Sequence, residues 1–396
     1  MASPNLKSIQ QSPKSGELTT SKSRTPLVHR LVWLTALTVF PLIWAGGLVT
    51  TTNAGMAVPD WPGTYGYNMF LYPWTTWFFG PWDLFIEHGH RLLGSLAGIW
   101  CLLLVAAACL WRSPFHVRML ACGALALVIT QGVMGGVRVL NVDREIARLH
   151  GCLGPAFFAY LVAMGVITSP WWQRVATAAH WKGPDRAKDA SATSLGEWVK
   201  ASRLVEQRLQ SQRYMTLVVL GLAYLQLVLG ASMRHVPESA DPSYFRVLVW
   251  FHIAGAVCTA ISTAALCLTP RCLVPGVNAP RWLLAGLVGL QIGLGLGTWV
   301  LKYGFPDWFA EYGFAQSHRI VSNDFYQVQV VTAHVAIGSL ILAVATFLLV
   351  RLWRAEFCLR AFVFGLRSEE SNLPHGTIEG AASPNIMAGS ENLIPC

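Results

Sequence analysis

Hydrophobic residues along the chain gather into eight long uncharged runs, near 31–50, 92–111, 119–137, 149–169, 214–233, 247–268, 282–301 and 325–350. Each approaches the roughly 17–25 residues that a helix needs to cross a hydrocarbon layer. Composition agrees: 54% of the 396 residues are hydrophobic and 12% are charged, against roughly 25% charged in soluble domains, and the mean hydropathy is +0.45. The expected fold class is an all-α membrane protein with eight transmembrane helices.

The polar interruptions organise these spans. The longest, Gln173 to Arg213, is charged and rich in Ala and Ser, and it leaves four spans on either side. The expected domains are a flexible tail over 1–27, an amino-terminal four-helix half over 28–172, a linker over 173–213, a carboxy-terminal half over 214–352 and a second tail over 353–396. The halves echo each other as pseudo-repeated four-helix bundles. Gln131-Gly-Val-Met-Gly-Gly in the third span matches Gln291-Ile-Gly-Leu-Gly-Leu in the seventh, and Trp44-Ala-Gly-Gly in the first loosely matches Val228-Leu-Gly-Ala in the fifth. Small residues of this kind also serve close helix packing in lipid, so the echo alone is weak evidence of duplication.

The formal net charge of +9 raises nucleic acid as a partner, but topology explains it better. Most of the 29 Lys and Arg residues fall in the two tails and in the connections after the second, fourth and sixth spans. By the positive-inside rule both termini are then cytoplasmic, no nucleic-acid partner is expected, and the bilayer is the first partner. The expected location is the inner membrane of a bacterial cell, or its mitochondrial equivalent. Nine cysteines are present without a CxxC motif, and none lies between Thr51 and Ile86, which argues against a disulfide or zinc site there.

Four histidines change the picture from scaffold to chemistry. His90 opens the second span, His150 opens the fourth, His252 lies near the start of the sixth, and His334 sits a few turns into the eighth. In the expected topology all four occupy the outer half of the membrane, one pair in each half of the chain. A single intramembrane histidine is as often a structural hydrogen-bonding group as a functional one; two repeated pairs favour ligands. Zinc asks for three or four convergent side chains, whereas two imidazoles from facing helices suit the two axial positions of a haem iron. A small residue follows each histidine by one turn, at Gly94, Gly154, Ala256 and Gly338. Positions i and i+4 share a face, which would leave room for a flat macrocycle. Glu87 lies three residues before His90 and on its face, with Arg91 available at i+4 as an ion-pair partner, while Val249-Trp250-Phe251 before His252 offers no acid. The asymmetry suggests that one site does chemistry and the other holds a cofactor.

In order and placement, several short motifs resemble the haem A synthase family. They are Glu87-His88-Gly89-His90-Arg91, Arg148-Leu149-His150-Gly151, Phe251-His252-Ile253-Ala254-Gly255 and Ala333-His334-Val335-Ala336, with the glycine and threonine run at 46–55 and Pro59-Asp60-Trp61-Pro62. The similarity extends from Leu31 to Leu352. It implies haem O as substrate between His90 and His150, and a resident haem b between His252 and His334. It also implies Glu87 as the catalytic carboxylate, and oxidation of a ring methyl to a formyl group by successive hydroxylations, for cytochrome oxidase assembly. Such chemistry needs an external electron donor, hence a separate reductase, and it makes the enzyme that produces haem O a candidate neighbour. Arg91, Arg138 and Arg234 stand at helix ends suited to the haem propionates, or to snorkelling. The chain departs from the family at Thr50-Thr51-Thr52-Asn53, where many members carry an arginine. It also lacks the outer-loop cysteine pair of some members, and its 60–86 loop is long and aromatic, as expected of an interfacial belt.

Two other classes compete with the synthase. A di-haem electron-transfer cytochrome would use the same four histidines without a substrate haem. A histidine-lined transporter would hold no haem and should show inverted rather than parallel repeats.

Overall fold

A computed structural model describes residues 26–176, 195–237, 239–271, 276–303 and 324–371; the tail expected over 1–27 lies almost wholly outside them. The structure is 85% helical with no strand among the described residues. Eight helices are long and apolar enough to cross a membrane. They are α1 (Pro26–Thr51), α2 (Trp82–Leu110), α3 (Phe115–Leu140), α4 (Arg144–Ile167), α5 (Leu195–Arg234), α6 (Pro242–Leu268), α7 (Asn278–Tyr303) and α8 (Phe325–Ser371). The protein is a multi-pass all-α membrane protein.

Three helices outrun their apolar spans, each for a visible reason. α2 begins at Trp82, so Glu87 and His90 lie inside the helix and not before it. The apolar run breaks at the charged residues, but Glu87 and Arg91 form an i,i+4 ion pair of 2.9 Å that the helix itself favours. α5 starts at Leu195, inside the expected 173–213 linker, and α8 runs to Ser371, inside the expected 353–396 tail. Ion pairs join the two extensions: Glu356 meets Arg213 at 3.1 Å and Arg360 at 2.7 Å, and Arg360 meets Glu206 at 2.7 Å. Gln212 adds a hydrogen bond to the carbonyl of Pro270. Both boundaries therefore move, because paired charges extend a helix past the point where hydropathy stops.

Burial orders the bundle. In the most apolar stretch of each helix, 56% of α4 and 44% of α1 and α8 is buried inside the protein, but only 11% of α7, so α4, α8 and α1 form the centre. α4 packs on α8, α1 on α8 and α5 on α4, while α3 and α7 pack on α4 and α8 from outside. This is the arrangement that two copies of one four-helix unit would give. One apolar cluster joins Ala97, Cys101, Leu104, Phe158 and Leu161 of the first half; another joins Val219, Leu284, Ile341 and Leu348 of the second, with Val166 of α4 reaching into it. Several threonine hydroxyls inside helices donate to carbonyls one turn back, as Thr35 does to Leu31 and Thr51 to Gly47, which satisfies them without water.

The long connection between α1 and α2 folds back onto the helix ends. Thr64 and Tyr67 exchange backbone hydrogen bonds of 3.0 Å. The Thr64 hydroxyl lies 3.0 Å from Nδ1 of His88, whose ring also meets Tyr72 and Trp77. Trp61 lies over Gly136 of α3, where even a Cβ would collide with the indole. Phe70, Trp74, Phe78, Phe79 and Trp82 remain exposed. The expected aromatic belt thus describes the outer residues of this loop, whereas Trp61, Tyr72 and Trp77 pack it against the bundle.

Candidate functional site

Each half brings its two histidines face to face. The rings of His90 and His150 lie 6.4 Å apart between centroids, and those of His252 and His334 lie 6.2 Å apart. His90 comes from α2, His150 from α4, His252 from α6 and His334 from α8, the pairing expected from the sequence. Among the described residues no group of three or more His, Cys, Asp or Glu side chains converges, so the arrangement is a pair in each half.

The helix opposite each histidine carries a glycine at the point of contact. A Cβ at Gly46 would stand 3.0 Å from Cε1 of His90; at Gly135 it would stand 3.2 Å from that of His150, at Gly230 3.6 Å from that of His252, and at Gly295 3.1 Å from that of His334. At Gly46, Gly135 and Gly295 a side chain would crowd the ring, whereas at Gly230 the distance is that of an ordinary contact. The Nδ1 atoms of all four are buried without a hydrogen-bond partner.

The small residues after the histidines have a different neighbour from the one expected. A Cβ on Gly154 would come 3.4 Å from the amide of Gln131, and one on Gly338 would come 3.3 Å from that of Gln291. Gly255, three residues after His252, would come 2.7 Å from the amide of Gln226, while Gly94 has open space. At Gly154 and Gly338, and at Gly255 beside the expected Ala256, the missing side chain makes room for a glutamine from the next helix. The repeated Gln-x-x-x-Gly spacing at 131–135, 226–230 and 291–295 was the signal in the sequence.

These pairs fit a haem iron. Two imidazoles bound by nitrogen at about 2.0 Å to opposite sides of one metal atom would place their centroids about 6.3 Å apart. Ordinary aromatic contacts fall in the same range. The four buried Nδ1 atoms separate the two readings, because an unliganded pair gains nothing from polar atoms left unsatisfied in a membrane bundle.

The two sites differ in what surrounds them. Glu87 is buried; one carboxylate oxygen accepts from Arg91 at 2.9 Å and the other from the backbone N–H of Val58 at 2.9 Å. The two terminal nitrogens of Arg91 also donate to the carbonyls of Asp60 at 2.7 Å, Gly63 at 3.0 Å and Val58 at 2.7 Å. Arg91, expected beside a propionate, is thus committed to the loop, and Glu87 turns toward the same loop. Arg138 lies beside Gly55, within electrostatic reach of Glu87, His90 and His150, and makes no side-chain hydrogen bond that competes with a ligand among the described residues. Arg234 reaches from α5 to α1, donating to Thr51 at 2.8 Å and to the carbonyl of Gly47 at 3.3 Å. An apolar groove of about 350 Å³ runs along α2 past Ala45, Trp77, Ile86 and Leu93 to His90.

Comparison with known proteins adds one finding. The chain is similar to a haem A synthase. The relative, from Geobacillus kaustophilus (strain HTA426), is 32% identical over 145 residues, a stretch covering 35% of this chain and 43% of the relative. The chain thus matches less than half of that haem A synthase's length. No family model matches.

Proposed function

We propose that the protein is a haem A synthase, acting in haem A biosynthesis by oxidising the ring methyl of haem O to a formyl group. The observation that carries this reading is the pair of matched imidazole couples, 6.4 and 6.2 Å apart, together with the buried carboxylate of Glu87 and the loop it binds at the head of the helix that carries His90. The partial likeness to a haem A synthase supports it.

In this reading His252 and His334 hold a resident haem b, and His90 and His150 receive haem O as substrate. Bound iron and an external redox partner supply the electron chemistry. With water as the oxygen source, methyl and water give formyl, four protons and four electrons, which the redox partner accepts; by two successive hydroxylations, methyl and two dioxygen molecules take up four electrons and four protons from a donor and give formyl and three waters. The chain's own residues set position and charge. Arg138 is the cation best placed to meet a propionate. Glu87, fixed by Arg91 and the Val58 N–H, sets negative charge at the head of α2, where it stabilises positive charge developing on the methyl carbon or takes up a proton. Trp61 over Gly136, with the loop it belongs to, keeps bulk water from the His90 and His150 couple.

Pigment analysis tests this directly. The purified protein, expressed with and without an enzyme that makes haem O, is extracted and its haems identified by chromatography and mass. Haem b in both preparations, with haem O, its hydroxylated form or haem A only in the first, is the expected result. Haem b alone in both would point to an electron-transfer cytochrome, and no haem at all would overturn the reading.

A further inference from the structure

Four helices face the four histidines, and three of them hold their histidine through a glutamine. Gln131 of α3 donates its amide to the backbone carbonyl of His150 at 3.2 Å, and Gln226 of α5 donates to that of His252 at 2.7 Å. Gln291 of α7 places its amide nitrogen 3.3 Å from Nε2 of His334. Each glutamine stands one turn before the glycine that receives the ring. The amide oxygens of all three are buried and have no partner. An unpaired buried acceptor is unfavourable, so something other than amide solvation keeps these residues in place. What they have in common is a grip on a histidine.

α1 breaks the pattern. The position one turn before Gly46 is Leu42, which cannot donate, and the space beside Gly94 stays open. The helix that carries His90 is tethered at that level to the loop instead, through the bonds of Glu87 and Arg91 to residues 58–63. The apolar groove beside α2 has His90 in its wall.

We infer that Gln131, Gln226 and Gln291 are positioning residues that lock three histidines in register, and that Leu42 leaves His90 as the one exchangeable ligand, through which the first site admits substrate haem and releases product. The inference rests on the proposed function and adds to it a direction: haem passes on the His90 side, while His150 stays fixed.

Carbon monoxide is a suitable probe, because it binds ferrous haem only where an axial histidine lets go. The full-length, haem-loaded protein is reduced with dithionite and mixed with carbon monoxide, and each haem is followed at its own absorbance. In the wild type the first site is expected to react and the second to stay closed. Leu42→Gln should slow the reaction at the first site by about tenfold, the weight of one hydrogen bond. Gln226→Met, similar in shape but without the amide, should open the second site by about the same factor. Should Leu42→Gln not accumulate, Gln226→Met decides alone, because its readout is the haem of the other half. Normal haem loading with rates within about twofold of wild type in the variants recovered overturns the inference and leaves the proposed function standing. A wild-type protein without haem overturns both.

Discussion

The two histidine couples are nearly the same in spacing and differ in everything that would let a bound group react or leave. His252 and His334 are held by Gln226 and Gln291, with Val249-Trp250-Phe251 before His252 and no acid among the described residues at that place. His90 has Leu42 opposite, Glu87 and Arg91 on its own helix, and a loop folded across the helix ends. The comparison separates what the couples share, glycine and histidine on facing helices, from what distinguishes them, the glutamine, acid and loop around each.

The largest expected effect separates the roles of the couples. His252→Ala or His334→Ala should weaken retention of the resident haem b by at least about a hundredfold, since even groups that only support a metal ligand change affinity by 10–100-fold. His90→Ala should leave that haem in place and lose only the substrate pigment. Haem b content of the purified variants measures both, and a His90→Ala protein as poor in haem b as His252→Ala would mean that the halves are not independent.

Next in size is Glu87. Glu87→Gln can still accept from the Val58 N–H, so it removes the charge and keeps the shape. It should lower formyl formation by about 10²–10³-fold, the usual weight of one electrostatic group at a reacting centre, with both haems bound in normal amounts. Intact conversion, read by mass analysis of the pigments, would reduce Glu87 to an anchor for Arg91 and the loop.

Much of this was legible in the sequence. The eight spans follow from hydropathy because each helix must cover about 30 Å of hydrocarbon by itself. The four histidines stood out because ionisable residues in membrane spans are rare. The glutamine contacts were harder to see. Periodicity tells which residues share a face of their own helix, but not which face of the neighbour they meet, so Gln131 and Gln291 read as a packing echo and Gln226 went unremarked. The small residues after each histidine were expected to clear space for a macrocycle; Gly154 and Gly338 clear it for those amides, as Gly255 does beside Ala256, while Gly94 faces open space. Likewise the i+4 relation of Glu87 and Arg91 was visible, whereas the turn of both toward Val58, Asp60 and Gly63 depends on a loop whose aromatic composition suggested only a belt.

A smaller effect grades the ligand geometry itself. Alanine at Gly46, Gly295 or Gly135 would set a methyl 3.0, 3.1 or 3.2 Å from its histidine ring, whereas at Gly230 the distance is 3.6 Å, an ordinary contact. The first three substitutions should destabilise their sites by about 1–3 kcal/mol, as overpacking does, and Gly230→Ala should be nearly silent. Thermal unfolding of the haem-loaded protein, followed in the Soret band, gives the order. Equal losses at all four would mean that the glycines serve general helix packing and not the rings.

The smallest effect concerns the loop packed beside the first site. Asp60 lies outside the membrane-spanning helices and accepts from the backbone N–H groups of Tyr65 at 2.8 Å and Gly66 at 2.9 Å. Partial burial works to raise its carboxyl, but those N–H groups and the nearby Arg91 outweigh it and hold the group below the usual carboxylate range. A carboxyl lowered on folding stabilises the folded loop fully above its unfolded value, and that contribution disappears as pH falls through the lowered one. Protection of the Tyr65 and Gly66 amides against hydrogen exchange should therefore hold steady from neutral pH down to the ordinary carboxylate range and fall only below it, after correction for the intrinsic exchange rate. Asp60→Asn should flatten that dependence. Because the same loop carries the carbonyls that bind Arg91, acid that loosens it should also loosen the Glu87 pair, while the His252 and His334 couple, carried on other helices, should not respond.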